Sequence, residues 1–216
     1  MHRSLLALLV AATAGGSLVA CGPGSAAREP EDLRGYLLGE PLPKPELTLT
    51  STDGTPFDFR RATDGFVTLV FFGYTNCPDI CPVHMSNLGT VLATLDPRVG
   101  ARIKVVFVTT DPRRDTPAVL RAWLDRFSRS FIGLTGDSAT IAEAQASLKL
   151  APAVIEQAAA ADTGYAVGHS ALVIAFTADN QAHVVYPFGT RQEDWAHDLP
   201  ELVREGWGAR AGASSR

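Results

Sequence analysis

Two cysteines four residues apart stand directly after the apolar run of residues 66–72, in the stretch Thr75-Asn76-Cys77-Pro78-Asp79-Ile80-Cys81-Pro82. Thiolates attack disulfides and ligate soft metals, so this residue type at this spacing supports redox exchange or metal binding. A helix starting at about Pro78 places Cys77 at its N-terminal end and Cys81 one turn on, with both sulfurs on one side. The helix N-terminus carries about half a positive charge and free N–H groups, which favours the thiolate. The pair can share a disulfide or a metal ion.

Such a pair needs a strand to deliver it and a helix to hold it. Residues 66–72 form a nearly continuous β-branched and aromatic run, the pattern of a strand buried on both faces. Leu88, Val91, Leu92 and Leu95 recur at helical spacing, predicting a helix from about Pro78 to Leu95 closed by Asp96-Pro97. Residues 103–108 read as a second buried strand, and Thr116-Pro117 as N-cap and first residue of a helix reaching about Phe127. This order implies a parallel sheet. Upstream, residues 46–50 and 57–59 flank Asp53-Gly54 as a β-hairpin, while residues 29–44 show no clear periodicity. Downstream come a short strand at 131–134, a helix over 141–148 capped by Asp137 or Ser138, and a long surface loop or lid at 149–167. Strands at 171–176 and 183–188 then form a second hairpin. Thr190 and Glu193 fit a capping box for a last helix, which Pro200 interrupts near Asp198. The fold class is α/β, a thioredoxin-like arrangement: a central mixed sheet flanked by helices, with an N-terminal β-hairpin extension. Ligands of such sheets gather at the carboxyl ends of the strands, where the cysteines lie.

With 19 Lys and Arg against 23 Asp and Glu, a net charge of −4 and no basic stripe, the 216-residue chain is not a nucleic-acid binder. Residues 1–20 read as an export signal: Met1-His2-Arg3, an apolar run at 5–14, then Leu18-Val19-Ala20-Cys21. The run is too short to span a membrane. Leu-Val-Ala-Cys resembles the lipobox of bacterial lipoproteins, which implies cleavage before Cys21 and lipidation of its thiol. Several acyl chains give stable anchoring, so the domain is expected at the extracytoplasmic face of the cytoplasmic membrane. The chain divides into a signal peptide (1–20), an anchor and flexible linker (21–44), one domain (45–207) and a frayed tail (208–216).

Three separated motifs carry a family resemblance: Phe72-Gly73-Tyr74-Thr75-Asn76-Cys77-Pro78-Asp79-Ile80-Cys81-Pro82, then Thr110-Asp111-Pro112-Arg113-Arg114-Asp115-Thr116-Pro117, then Val167-Gly168-His169-Ser170. In this order, over about residues 45–205, the chain resembles the Sco/SenC copper-binding proteins that assemble cytochrome c oxidase. The resemblance implies that Cys77, Cys81 and His169 bind copper, as copper(I) with copper(II) left open. It implies the copper-bearing oxidase subunit as a partner, with an upstream copper donor or thiol reductant. The family often has Asp before the histidine, where this chain has Gly168. The chemistry agrees: soft thiolates select copper(I), and two sulfurs from one helical turn leave a third position for an imidazole. An open three-coordinate site suits transfer.

The resemblance also favours Asp111, at the end of a buried strand, as a carboxylate that orients His169 or tunes a thiol. Arg114 and Asp115 read as a local pair. Met85 reads as core and His84 as exposed. His183 and His197, and the indoles of Trp123, Trp195 and Trp207, are expected to pack or lie at the surface. The rival function is a thiol:disulfide oxidoreductase that reduces an oxidase copper subunit; the C-x-x-x-C spacing and His169 favour metal over it. Against a peroxidase of the peroxiredoxin kind, Thr75 precedes Cys77 by two positions instead of three. A structural disulfide remains open, and a closed zinc site wants a fourth ligand.

Overall fold

The computed structural model describes residues 33–157 and 165–204. Its frame is an eight-stranded mixed sheet in the order β1 (Tyr36–Pro43), β10 (Gln181–Tyr186), β9 (Val173–Phe176), β4 (Val67–Gly73), β5 (Ile103–Thr109), β6 (Ile132–Thr135), β2 (Thr48–Ser51), β3 (Pro56–Asp58). At its centre β4 (Val67–Gly73) pairs in parallel with β5 (Ile103–Thr109), which pairs in parallel with β6 (Ile132–Thr135). Every residue of β4 is buried, as a central strand covered on both faces must be. Leu69 and Phe71 face one layer with α2 (Ile80–Thr94), α4 (Pro117–Leu124) and α6 (Gln192–Arg204). Val70 and Phe72 face the other, with α1 (Phe59–Ala62) and α5 (Ser138–Ser147). The short α3 (Pro97–Gly100) follows, capped by Asp96.

The expected hairpin is β2 (Thr48–Ser51) with β3 (Pro56–Asp58), added antiparallel to β6 at the far edge. On the other side β9 (Val173–Phe176) runs antiparallel to β4 and pairs with β10 (Gln181–Tyr186). Thr116 and Asp137 cap α4 and α5 as read from sequence.

Four expectations are corrected. Part of the expected linker is β1 (Tyr36–Pro43), paired with β10 across a bulge between Leu37 and Leu42. Its prolines hid it, but an edge strand tolerates Pro because one row of its N–H groups has no partner strand. The loop or lid contains a separate two-stranded sheet, β7 (Val154–Gln157) with β8 (Tyr165–Gly168). Helix α6 runs through Pro200 because its buried face, Trp195, Leu199 and Leu202, fixes it against the core. Its cap lies one residue later than expected: the Arg191 amide donates to Asp194 Oδ2 at 3.1 Å, and the Thr190 hydroxyl donates to the Pro187 carbonyl. The signal segment, Cys21, Trp207 and the tail lie outside the described residues.

Candidate metal centre

The parallel strands β4 and β5 end side by side and release two loops at one sheet edge. The first carries the cysteines. Helix α2 begins at Ile80, two residues later than expected, and Asp79 caps it by accepting the Ile80 amide at 2.6 Å. Cys77 thus precedes the first turn, and Cys81, inside it, donates its backbone N–H to Cys77 Sγ at 3.4 Å. Both thiols are free and buried. Gly73 is required here: a Cβ on it would stand 2.7 Å from Cys81 Sγ and from the Phe71 ring.

The second loop, 110–116, fastens both halves of the site. The buried Asp115 carboxylate accepts from the Thr75 amide (3.0 Å), the Thr75 hydroxyl (2.6 Å) and the Thr109 hydroxyl (2.6 Å), pinning the chain two residues before Cys77. Asp111 pairs instead with Arg114 and accepts from the Tyr165 hydroxyl at 2.8 Å, while the Arg114 guanidinium lies 3.7 Å from the Tyr165 ring centroid. Tyr165 opens β8, the strand leading to His169. The expected contact of Asp111 with His169 or a thiol is therefore replaced by a clasp on the histidine's strand. Arg114 and Asp115, expected as a local pair, serve different partners.

His169 closes the site. Its Nδ1 lies 2.9 Å from the Ser170 carbonyl, which turns Nε2 towards Cys81 Sγ, 3.5 Å away. Phe71 and Tyr74 hold the ring edge-on, at centroid distances of 5.7 and 5.6 Å. His84, expected at the surface, is 3 % exposed. It donates from Nε2 to the Ala171 carbonyl at 3.0 Å and packs on Phe71, supporting the loop after His169 from below. Met85 is core, as expected. Glu156 of β7 brings Oε1 to 2.7 Å from the position a Cβ on Gly168 would take, so a carboxylate reaches this place from the facing strand. His183 bonds to Asp179, and His197 to Asp198.

The ligand atoms of Cys77, Cys81 and His169 lie within 4.8 Å of one another, the only such group of three or more among the described residues. A three-coordinate ion with bonds of ~2.0–2.3 Å needs its donors roughly 3.6–4 Å apart, so the residues fit one with little movement. Two thiols and one imidazole suit a soft ion. No fourth ligand of a closed zinc site joins them among the described residues.

The two sulfurs differ. Hydrogen bonds from Cys81, with help from His169, bring the Cys77 pKa down to about 4 against the opposing effect of burial. Burial first, then the neighbouring thiolate, pushes Cys81 far up. This setting of Cys77 stabilises the fold in full above the ordinary thiol value of 9.0, and that stability is lost as pH falls through about 4. Iodoacetamide at pH 6 should therefore label Cys77 roughly three- to tenfold faster than an ordinary cysteine: a ~1,000-fold gain in thiolate, less the ~100- to 300-fold lower nucleophilicity of a more acidic thiol. Mass spectrometry should find Cys81 unlabelled. A Cys77 rate that climbs through pH 8–9 would contradict the assignment.

Comparison with known proteins agrees with this construction. The SCO1/SenC family model matches residues 39–204. Mitochondrial protein SCO1 of Saccharomyces cerevisiae is 39 % identical over 109 residues, half of this chain and 36 % of the yeast protein. Copper-bound yeast Sco1 superposes with a TM-score of 0.68 at 27 % identity, covering 84 % of this chain and 96 % of that one. Copper-bound ScoI of Bradyrhizobium japonicum gives 0.63 at 29 % identity, covering 76 % and 99 %. A sheet edge carrying two cysteines on one helical turn and a histidine across from them, with a family match over most of the chain, places this protein in the SCO1/SenC family.

Proposed function

We propose that the chain is a metallochaperone that binds copper(I) through Cys77, Cys81 and His169 and delivers it to the copper-bearing subunit of cytochrome c oxidase. The observation that carries this reading is the convergence of the three donors, with the His169 ring held at Nδ1 by the Ser170 carbonyl so that Nε2 faces the sulfurs. Family membership and the copper held by two similar structures support it. With only three ligands, an incoming donor from the partner can bind before a resident one leaves. Oxidation to a Cys77–Cys81 disulfide removes both sulfur ligands, so a thiol reductant controls loading. The Leu-Val-Ala-Cys segment supports a lipid anchor on Cys21 that holds the domain at the extracytoplasmic face of the membrane.

The split between the sulfurs favours one other reading, a thiol:disulfide oxidoreductase. The Cys77 thiolate would attack a partner disulfide, forming a mixed disulfide and expelling one partner thiolate. Cys81, on losing its proton, would attack Cys77 Sγ, breaking the mixed disulfide, closing the Cys77–Cys81 disulfide and expelling the second partner thiolate, so that the partner disulfide is reduced by two electrons in all. Burial of Cys81 opposes that proton loss, which slows the second step and favours the metal reading. The test is to mix the copper(I)-loaded chain with a soluble copper domain of the oxidase, reduced in one arm and disulfide-bonded in the other. Copper should pass to the reduced domain, and the oxidised domain should be reduced slowly. Rapid reduction without copper transfer would reverse the assignment.

A further inference from the structure

Strand directions place the start of the described chain beside the metal centre. β4 ends at this edge, β9 begins there opposite it, β10 ends there, and Tyr36 opens β1 beside Val185. The Asp198 carboxylate fixes that start by accepting the Arg34 and Gly35 amides at 2.8–3.1 Å. The segment from Cys21 therefore joins the body at the metal-bearing edge.

The large apolar side chains left exposed lie at the same edge. Tyr36 and Leu37 stand at the start of β1, the first of them 66 % exposed. Phe188 follows the end of β10 and packs on His84. Val83 and Val119 lie in the first turns of α2 and α4, both of which start at this edge. Val154, 62 % exposed, pairs with Gly168 next to His169, and Ile155 follows it. No other large apolar side chain is exposed among the described residues. Exposed apolar groups gathered on one rim mark a contact surface rather than chance exposure.

From these two observations we propose that the metal-bearing edge rests against the phospholipid bilayer, its apolar rim in the interfacial region, so that the Cys77, Cys81 and His169 site opens along the membrane surface. This rests on the reading of Cys21 as a lipid anchor. Tether length favours the bilayer as occupant: the twelve residues 21–32 reach at most ~40 Å when fully extended. A domain of this size is itself ~40 Å across, so turning the opposite edge to the bilayer would use the whole tether. Apolar side chains at an anchored surface add to its membrane affinity.

The test uses the full chain purified from membranes, with acylation of Cys21 read by mass, reconstituted into phosphatidylcholine–phosphatidylglycerol vesicles. Hydroxyl-radical footprinting compares it with the Cys21→Ser chain free in buffer. Oxidation of Tyr36, Phe188 and Ile155 should fall several-fold on the vesicles, while Phe66 and Leu95 at the opposite edge stay unchanged. An acylated, vesicle-bound chain whose rim is oxidised as fast as in buffer would overturn the proposal and assign the rim to a protein partner. Protection of Phe66 and Leu95 instead would also overturn it. An unacylated chain that does not float with vesicles would remove the anchor, and the proposal with it, a result the mass distinguishes from the others.

Discussion

Asp115→Ala is expected to lower the melting temperature of the domain by about 6–12 °C and to weaken copper(I) binding by about 10- to 100-fold. The carboxylate is fully buried and receives three hydrogen bonds, two from Thr75 and one from Thr109. Hydrogen bonds to a charged group contribute about 1.5–3 kcal/mol each, and their losses overlap when donors re-pair with water, so a net cost of about 3 kcal/mol is expected. At about 2–4 °C per kcal/mol for a domain of this size, the shift follows. The effect on copper arises because Thr75 fixes the turn that presents Cys77, and loss of a partner that positions a metal ligand costs about 10- to 100-fold. Calorimetry and a chelator competition read the two effects separately. Equal melting temperatures would show that the three bonds do not hold the loop.

Cys81→Ser separates binding from reactivity. A serine hydroxyl is a hard, protonated donor, so replacing this sulfur should reduce copper(I) affinity by far more than the ~100-fold upper cost of losing a positioning partner. The fold should survive, because burying one hydroxyl in this place costs only about 1–3 kcal/mol. Cys77 should still alkylate at pH 6, since a hydroxyl at position 81 donates to its thiolate in place of the thiol, beside the residue 81 amide and His169. Near-normal copper retention in this variant would mean that Cys81 is not a ligand.

Much of this site was legible because it is local. The buried run of β4, the four-residue spacing of Cys77 and Cys81, and the caps of Thr116 and Asp137 are each set within a few residues of sequence. His169 was legible only through its motif. The positioning residues were harder to read. Asp111 and Asp115 share one loop and one residue type, and only the path of that loop decides that Asp115 grips Thr75 while Asp111 grips Tyr165. His84 carried a usable signal: it belongs to the stripe Cys81, His84, Met85, Leu88 and Val91 that α2 buries, and its polarity masked this. Strand β1 was hidden because a bulged, proline-bearing edge strand keeps no clean alternation. The β7–β8 pair was hidden in an Ala-rich stretch whose strands pair only with each other.

The central claim is that two thiolates and one imidazole together hold the metal. It is tested most directly by titrating copper(I) into the reduced Cys21→Ser chain against a competing chelator, with His169→Ala measured alongside. One copper per chain is expected, with at least about tenfold weaker binding in the variant, as for losing a ligand rather than an outer partner. Equal affinities in the two proteins would contradict it, leaving the cysteine pair as a redox dithiol with no built metal site.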